Sequence, residues 1–119
     1  MLQHVSLEIA PDLAEDAVAF WQLLGFERVD SPEDLGGYVT WLERSGTQIH
    51  LIHTEGGTVP VLGHAAVVVD DFEGAMKAVA DAGHEVEETR RLWGARRAFA
   101  VGPGAHRVEL MEFPPPASG

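Results

Sequence analysis

The 119 residues carry one pattern twice. An alternating apolar segment opens each half, at Leu2 to Ile9 and again at His64 to Val69. An amphipathic stretch follows and stops at a glycine, and three more extended segments complete the half. The spacings repeat as well: His4 to Gly25 is 21 residues and His64 to Gly83 is 19, while His4 to His50 is 46 and His64 to Glu109 is 45. The period is 60 residues, from His4 to His64. A strand, a helix and three strands in so short a unit cannot bury both a helix stripe and a sheet face alone, so the two units are expected to share an interface. The expected fold is α+β: two tandem β-α-β-β-β modules, about 1–54 and about 64–113, form one domain as a cupped mixed sheet with helices on its outer face. Thr54 to Gly63 is the expected join. The tail 114–119 is expected to be a mobile end, because its prolines cannot donate to a strand ladder.

Local signals place the elements. Asp12 and Glu15 stand three apart after Pro11, which reads as a capping box for a helix running to about Leu24. Leu13, Ala17, Phe20, Trp21 and Leu24 form its apolar stripe, and Gly25 is the stop. Asp70 and Asp71 cap the second helix, from Phe72 to Ala82, with Phe72, Ala75, Met76 and Val79 on its buried side. Extended pieces are expected at Phe26 to Asp30, Gly37 to Glu43, Thr47 to His53, Glu85 to Thr89, Arg96 to Val101 and Arg107 to Phe113.

Strand alternation then assigns faces. Val5, Leu7 and Ile9 oppose His4, Ser6 and Glu8; Ile49 and Leu51 oppose Gln48, His50 and Ile52; Val108 and Leu110 oppose Arg107, Glu109 and Met111. His64 mirrors His4, and Glu109 stands where His50 stands. If the four strands line one cavity, His4, His50, His64 and Glu109 all point into it. Three imidazoles and a carboxylate suit a divalent Zn, Ni, Co, Fe or Mn ion with positions left open for water or substrate. Polar residues lining a groove without metal are the other reading of the same four. Arg97 and Phe99 share the face of Glu109, and Arg97 offers a handle for a substrate carboxylate or phosphonate, or is simply one of four arginines serving an acidic surface. Trp41, Trp93 and Tyr38 are wall or core aromatics, whereas His53, His84 and His106 at strand ends are expected to be exposed, with His53 a fallback ligand.

The chain resembles the vicinal oxygen chelate superfamily of glyoxalase I, extradiol dioxygenases, fosfomycin-resistance transferases, methylmalonyl-CoA epimerase and bleomycin-binding proteins. HVSLEI, FWQLLGFERV, QIHLI, GHAAVVVDD and GPGAHRVELMEF carry that resemblance along nearly the whole chain. It implies paired β-α-β-β-β modules, with His4, His50, His64 and Glu109 at the four ligand positions. Gly102-Pro-Gly-Ala105 replaces the usual Asp-Pro-Asp-Gly, and His50 stands where glyoxalase I generally has Glu. The resemblance implies a small metal-dependent enzyme of lyase or isomerase type that chelates vicinal oxygens of a small substrate, with Glu109 or a metal-bound water shuttling the proton; Arg97, Phe99 and Trp41, chosen from strand faces and side-chain type, are the residues expected around the substrate. It also implies a homodimer.

The alternative is a non-catalytic binding protein like the bleomycin-resistance members, with a groove lined by Trp41, Trp93 and acidic residues. A thiol transferase of the fosfomycin type is a third reading, which Phe99 and the short loop disfavour. Composition trims the partners. Nineteen acidic against eight basic residues give a net charge of -11, which repels nucleic acid and anionic membranes. The absence of Cys excludes disulfides and thiolate chemistry. No apolar run is long enough to span a bilayer and no secretory signal opens the chain, so a cytoplasmic protein is expected.

Overall fold

The computed structural model describes residues 1–117 and divides into two compact units, Met1–Val59 and Pro60 onward. In the first, β1 (His4–Ile9), α1 (Ala14–Leu23), β2 (Glu27–Val29), β3 (Val39–Arg44) and β4 (Thr47–His53) form a four-stranded sheet in the order β1-β4-β3-β2. In the second, β5 (Ala65–Val68), α2 (Phe72–Asp81), β6 (Glu85–Leu92), β7 (Ala95–Val101) and β8 (Arg107–Met111) form a sheet in the order β5-β8-β7-β6. The opening strand of each unit is parallel to its closing strand, and the other pairings are antiparallel. The duplicated order is thus real. Among the described residues no helix is long and apolar enough to cross a membrane.

Each unit buries its own apolar set, as alternation requires. Phe20 and Trp21 of α1 are buried in the unit that also buries Ile9, Leu42, Ile49 and Leu51. In the second, Phe72 and Val79 of α2 join Val67, Ala98, Ala100, Val108 and Leu110, and α2 packs on β6, β7 and β8. The opposite face of each sheet carries the polar residues.

Both helices end in the same way. Gly25 (φ 90°) and Gly83 (φ 92°) take the left-handed conformation that follows a helix, which glycine adopts without a Cβ penalty. After α1 the Gly25 N–H donates to the Gln22 carbonyl and the Phe26 N–H to the Trp21 carbonyl; after α2 the Gly83 N–H donates to Ala80 and the His84 N–H to Val79. Orphan carbonyls at both C-termini are satisfied identically, and the Trp21 and Phe26 rings meet edge to face at 5.2 Å.

The helix starts differ. Asp71 caps α2, its carboxylate accepting from the Gly74 N–H, as expected. The capping box expected from Asp12 and Glu15 does not form: Pro11–Leu13 make a 3₁₀ turn, α1 starts without a side-chain cap, and Glu15 instead grips Arg28 at 2.7 Å. Pro11 sets the tight turn before Asp12, which leaves Asp12 inside the turn rather than in the extended conformation a cap requires.

The modules also part company between their second and third strands. A 3₁₀ segment, Glu33–Tyr38, occupies part of the stretch expected to be extended from Gly37, whereas Trp93 (φ 42°) and Gly94 (φ 78°) close a two-residue turn. That turn lets β6 run to Leu92, past its expected end at Thr89. Pro114–Ala117 are exposed and outside any strand, and the last two residues of the expected mobile tail lie outside the described residues.

Candidate functional site

The polar face of the first sheet holds a three-ring stack. Pairing sets Trp41 directly across from His50, and the two rings are parallel within 1° at 4.0 Å between centroids. His4 covers the other side of His50 at 4.0 Å and 15°. His50 Nε2 meets Gln48 Oε1 at 2.7 Å, and the Gln48 amide donates to Glu43 at 3.0 Å. Burial, reinforced by the nearby His4, lowers the His50 pKa, so its ring is neutral near pH 7. In metal-free protein His50 is therefore expected to titrate below 6.5, and His4→Ala to move it upward without restoring the ordinary value. Proton-detected nitrogen NMR of the imidazoles measures both; an unchanged His50 in the variant would show burial acting alone.

The polar face of the second sheet holds an ion network. Pairing sets Phe99 across from Glu109. Glu109 is 6% exposed. Its Oε2 accepts from Arg97 Nε at 2.9 Å and its Oε1 meets His64 Nε2 at 3.1 Å. Burial pushes the Glu109 carboxyl up, but the hydrogen bonds and charges of Arg97 and His64 outweigh it and hold the group below the ordinary carboxylate range. The same bond raises the Arg97 pKa. The Phe99 ring stands edge-on to His64 at 5.0 Å, with Arg97 and Arg107 over it at 5.9 and 4.5 Å.

The neighbours of His64 orient its ring. Nδ1 lies 2.9 Å from the Leu62 carbonyl oxygen, which can only accept, so Nδ1 donates there. Nε2 is thereby turned toward the Glu109 carboxylate.

Ligands at right angles around an ion with bonds of about 2.0–2.2 Å lie roughly 3 Å apart, the spacing of His64 and Glu109, and the Leu62 bond orients the imidazole as metal-bound histidines are oriented. The His4 and His50 rings stack on each other within the first unit. Among the described residues no group of three or more His, Asp or Glu is arranged to hold an ion.

Of the residues singled out from sequence, the structure thus joins His4, His50 and Trp41 in the first unit and His64, Glu109, Arg97 and Phe99 in the second. Arg97 is 13% exposed and committed to Glu109, so it does not serve an acidic surface, whereas Arg96 bonds Glu88 and Glu73. The expectation of exposed strand-end histidines is corrected: His106 is 7% exposed, His84 is half-buried, and His53 is half-buried with Nε2 2.9 Å from Thr40 Oγ1. Odd parity sets His53 on the face of Leu51, opposite His50, and removes it as a fallback ligand. Tyr38 is 75% exposed and Trp93 sits at the β6–β7 turn, donating to the Phe113 carbonyl, so neither walls a buried apolar pocket. Gln48, Glu43 and Arg107 join these sites without having been singled out as functional from sequence. The alternation that selected His50 and Glu109 also carries Gln48 and Arg107, two residues away.

The model of the Glyoxalase/Bleomycin resistance protein/Dioxygenase superfamily matches residues 2–110. A glyoxalase family protein from Bacillus anthracis has the same fold, with 22% identity, a TM-score of 0.83 and 93% of each chain covered. The oxidase ChaP-H2 is 22% identical with a TM-score of 0.75 over 100% of this chain and 98% of its own. A mutant fosfomycin resistance protein, FosX, from Listeria monocytogenes, complexed with Mn(II) and 1S,2S-dihydroxypropylphosphonic acid, is 19% identical with a TM-score of 0.75, over 92% of this chain and 87% of that one. Curated protein sequences return no match.

Proposed function

Because this chain belongs to the Glyoxalase/Bleomycin resistance protein/Dioxygenase superfamily, we propose that it is a small metal-dependent enzyme of lyase or isomerase type acting on a small oxygen-rich molecule at the Glu109 face of its second sheet. The observation that carries this reading is His64 Nε2 facing the ionised Glu109 carboxylate across 3.1 Å, with Nδ1 tied to a backbone carbonyl. That pair supplies two adjacent ligands for a cation. A divalent ion there would polarise substrate oxygens as a Lewis acid. Glu109, kept ionised by Arg97, is the base for a proton beside such an oxygen. Arg97 holds the carboxylate in position, and the Phe99 ring closes one side of His64. Mn(II) in FosX supports the choice of a divalent ion, and a cytoplasmic homodimer is part of the same proposal.

The test is metal content by mass spectrometry on untagged protein, before and after loading with Mn, Fe, Co, Ni or Zn. About one ion per chain is expected, lost in His64→Ala and in Glu109→Gln, with α-ketoaldehydes, catechols and acyl-CoA epimers then screened against the preferred ion. Undiminished uptake in both variants would remove the pair as ligands.

A second reading, a binding protein without turnover, is favoured by a different feature. An open groove of about 490 Å³ in the first unit has Asp30 and Glu33 beside Trp41, with Glu15 and Arg28 paired on its wall, and its two further carboxylates suit a cationic ligand. Trp93, expected in the same groove, does not line it. Retained ligand binding in protein that takes up no metal would select this reading.

A further inference from the structure

Among the described residues Arg107, at the start of β8, makes no ion pair with a carboxylate. In a chain with 19 acidic and eight basic residues, arginines find carboxylates easily, and Arg28, Arg96 and Arg97 all do. Arg107 is half-buried and, among the described residues, rests only on the Phe99 ring. It nevertheless lines a cleft of about 530 Å³ together with Glu85, Glu87, Phe99 and Val101.

Strand register sets these side chains on one face. Arg107 on β8 pairs with Val101 on β7, which pairs with Glu85 on the edge strand β6; one pair along, Phe99 lies opposite Glu87. Directly opposed residues share a face, so the backbones that carry Arg107 and the two glutamates lie two strand spacings, about 9–10 Å, apart, with the Arg107 guanidinium reaching back over the Phe99 ring. Phe99 and Val101 floor the cleft. The cleft therefore sets a basic and two acidic groups over an apolar floor, and its volume falls in the range of small-molecule sites.

We propose that this cleft binds a zwitterionic small molecule whose carboxylate pairs with Arg107, whose ammonium pairs with Glu85 and Glu87, and whose apolar middle lies on Phe99 and Val101. An ω-amino acid carries its two charges at the ends of an apolar chain, which matches a floor of Phe99 and Val101 bordered by Arg107 and the two glutamates. A plain anion meets two carboxylates and the field of a chain with net charge -11, and a plain amine leaves Arg107 unused. The proposal rests on the reading that this sheet face receives a small substrate, but it requires neither metal nor turnover.

Amide chemical shifts of Phe99 and Val101, followed by NMR with chelator present, test it with 6-aminohexanoate, hexanoate and hexylamine as probes. The ω-amino acid is expected to bind about tenfold or more tightly than either single-ended analogue. Arg107→Gln should reduce it to the level of hexylamine, and Glu85→Gln with Glu87→Gln to that of hexanoate; these side chains all border an open cleft, so folding is checked by the unchanged remainder of the spectrum. Equal binding of all three probes, no binding of 6-aminohexanoate, or an unaltered affinity in Arg107→Gln would overturn the proposal. Metal uptake with His64→Ala is scored separately, so the cleft can fail while the ion site stands, and the reverse.

Discussion

Arg97→Met is expected to lower the unfolding free energy of the metal-free protein by about 3 kcal/mol at pH 7 and by far less at pH 3. Removing one partner of a buried ion pair leaves the other charge desolvated, a loss of about 3–5 kcal/mol in closed sites, and the lower end applies because His64 still bonds Glu109 and is itself partly open to solvent. Methionine keeps most of the aliphatic stem, so the change reads charge rather than volume. The pH dependence follows from the depressed Glu109 carboxyl. In the unfolded chain that group titrates near 4.5; in the folded wild type it titrates lower, so its stabilisation is fully present above 4.5 and is lost as pH falls through the folded value. Without Arg97, burial again pushes the carboxyl up. The gap between wild type and variant should therefore widen as pH rises from about 3 to 6, as chemical denaturation with chelator present would measure. A gap that is constant with pH would mean that Arg97 stabilises through packing alone.

Leu110→Ala should cost about 3–4 kcal/mol, and equally at pH 4 and pH 7. Leu110 is fully buried, paired with Val67 on β5 and Ala98 on β7, on the face that α2 covers. Truncating it removes transfer free energy and opens a cavity that strands held on both sides cannot collapse into. Residues 109 and 110 are adjacent in sequence and face opposite ways, so the pH-dependent and pH-independent losses separate two environments one peptide bond apart. A loss under 1 kcal/mol would show that this sheet relaxes into the space.

The duplicated module was legible because it rests on local properties of the chain. Period-two alternation put His4, His50, His64 and Glu109 on the polar faces, and it put Arg97 and Phe99 with Glu109. The two glycine stops sit where their positive φ is needed. Local reasoning failed where two local rules competed. Pro11 overrode the Asp12 cap, and the 3₁₀ segment Glu33–Tyr38 displaced the start of a strand. The strand-end histidines were misread because exposure depends on what packs above a strand end, and no spacing reports that.

Alternation by itself determined which side of a sheet each candidate side chain occupies, since every backbone step reverses the side chain. Tertiary structure decided which partner each one meets. Glu109 bonds Arg97, 12 residues away, and His64, 45 residues away, and those choices depend on strand order and on the reach of long side chains. The same placement separated two arginines that look alike in sequence: Arg97 ends on a carboxylate, whereas Arg107 ends over a ring at the mouth of a cleft. Parity is a property of one strand, but pairing is a property of several strands held in register by a buried core.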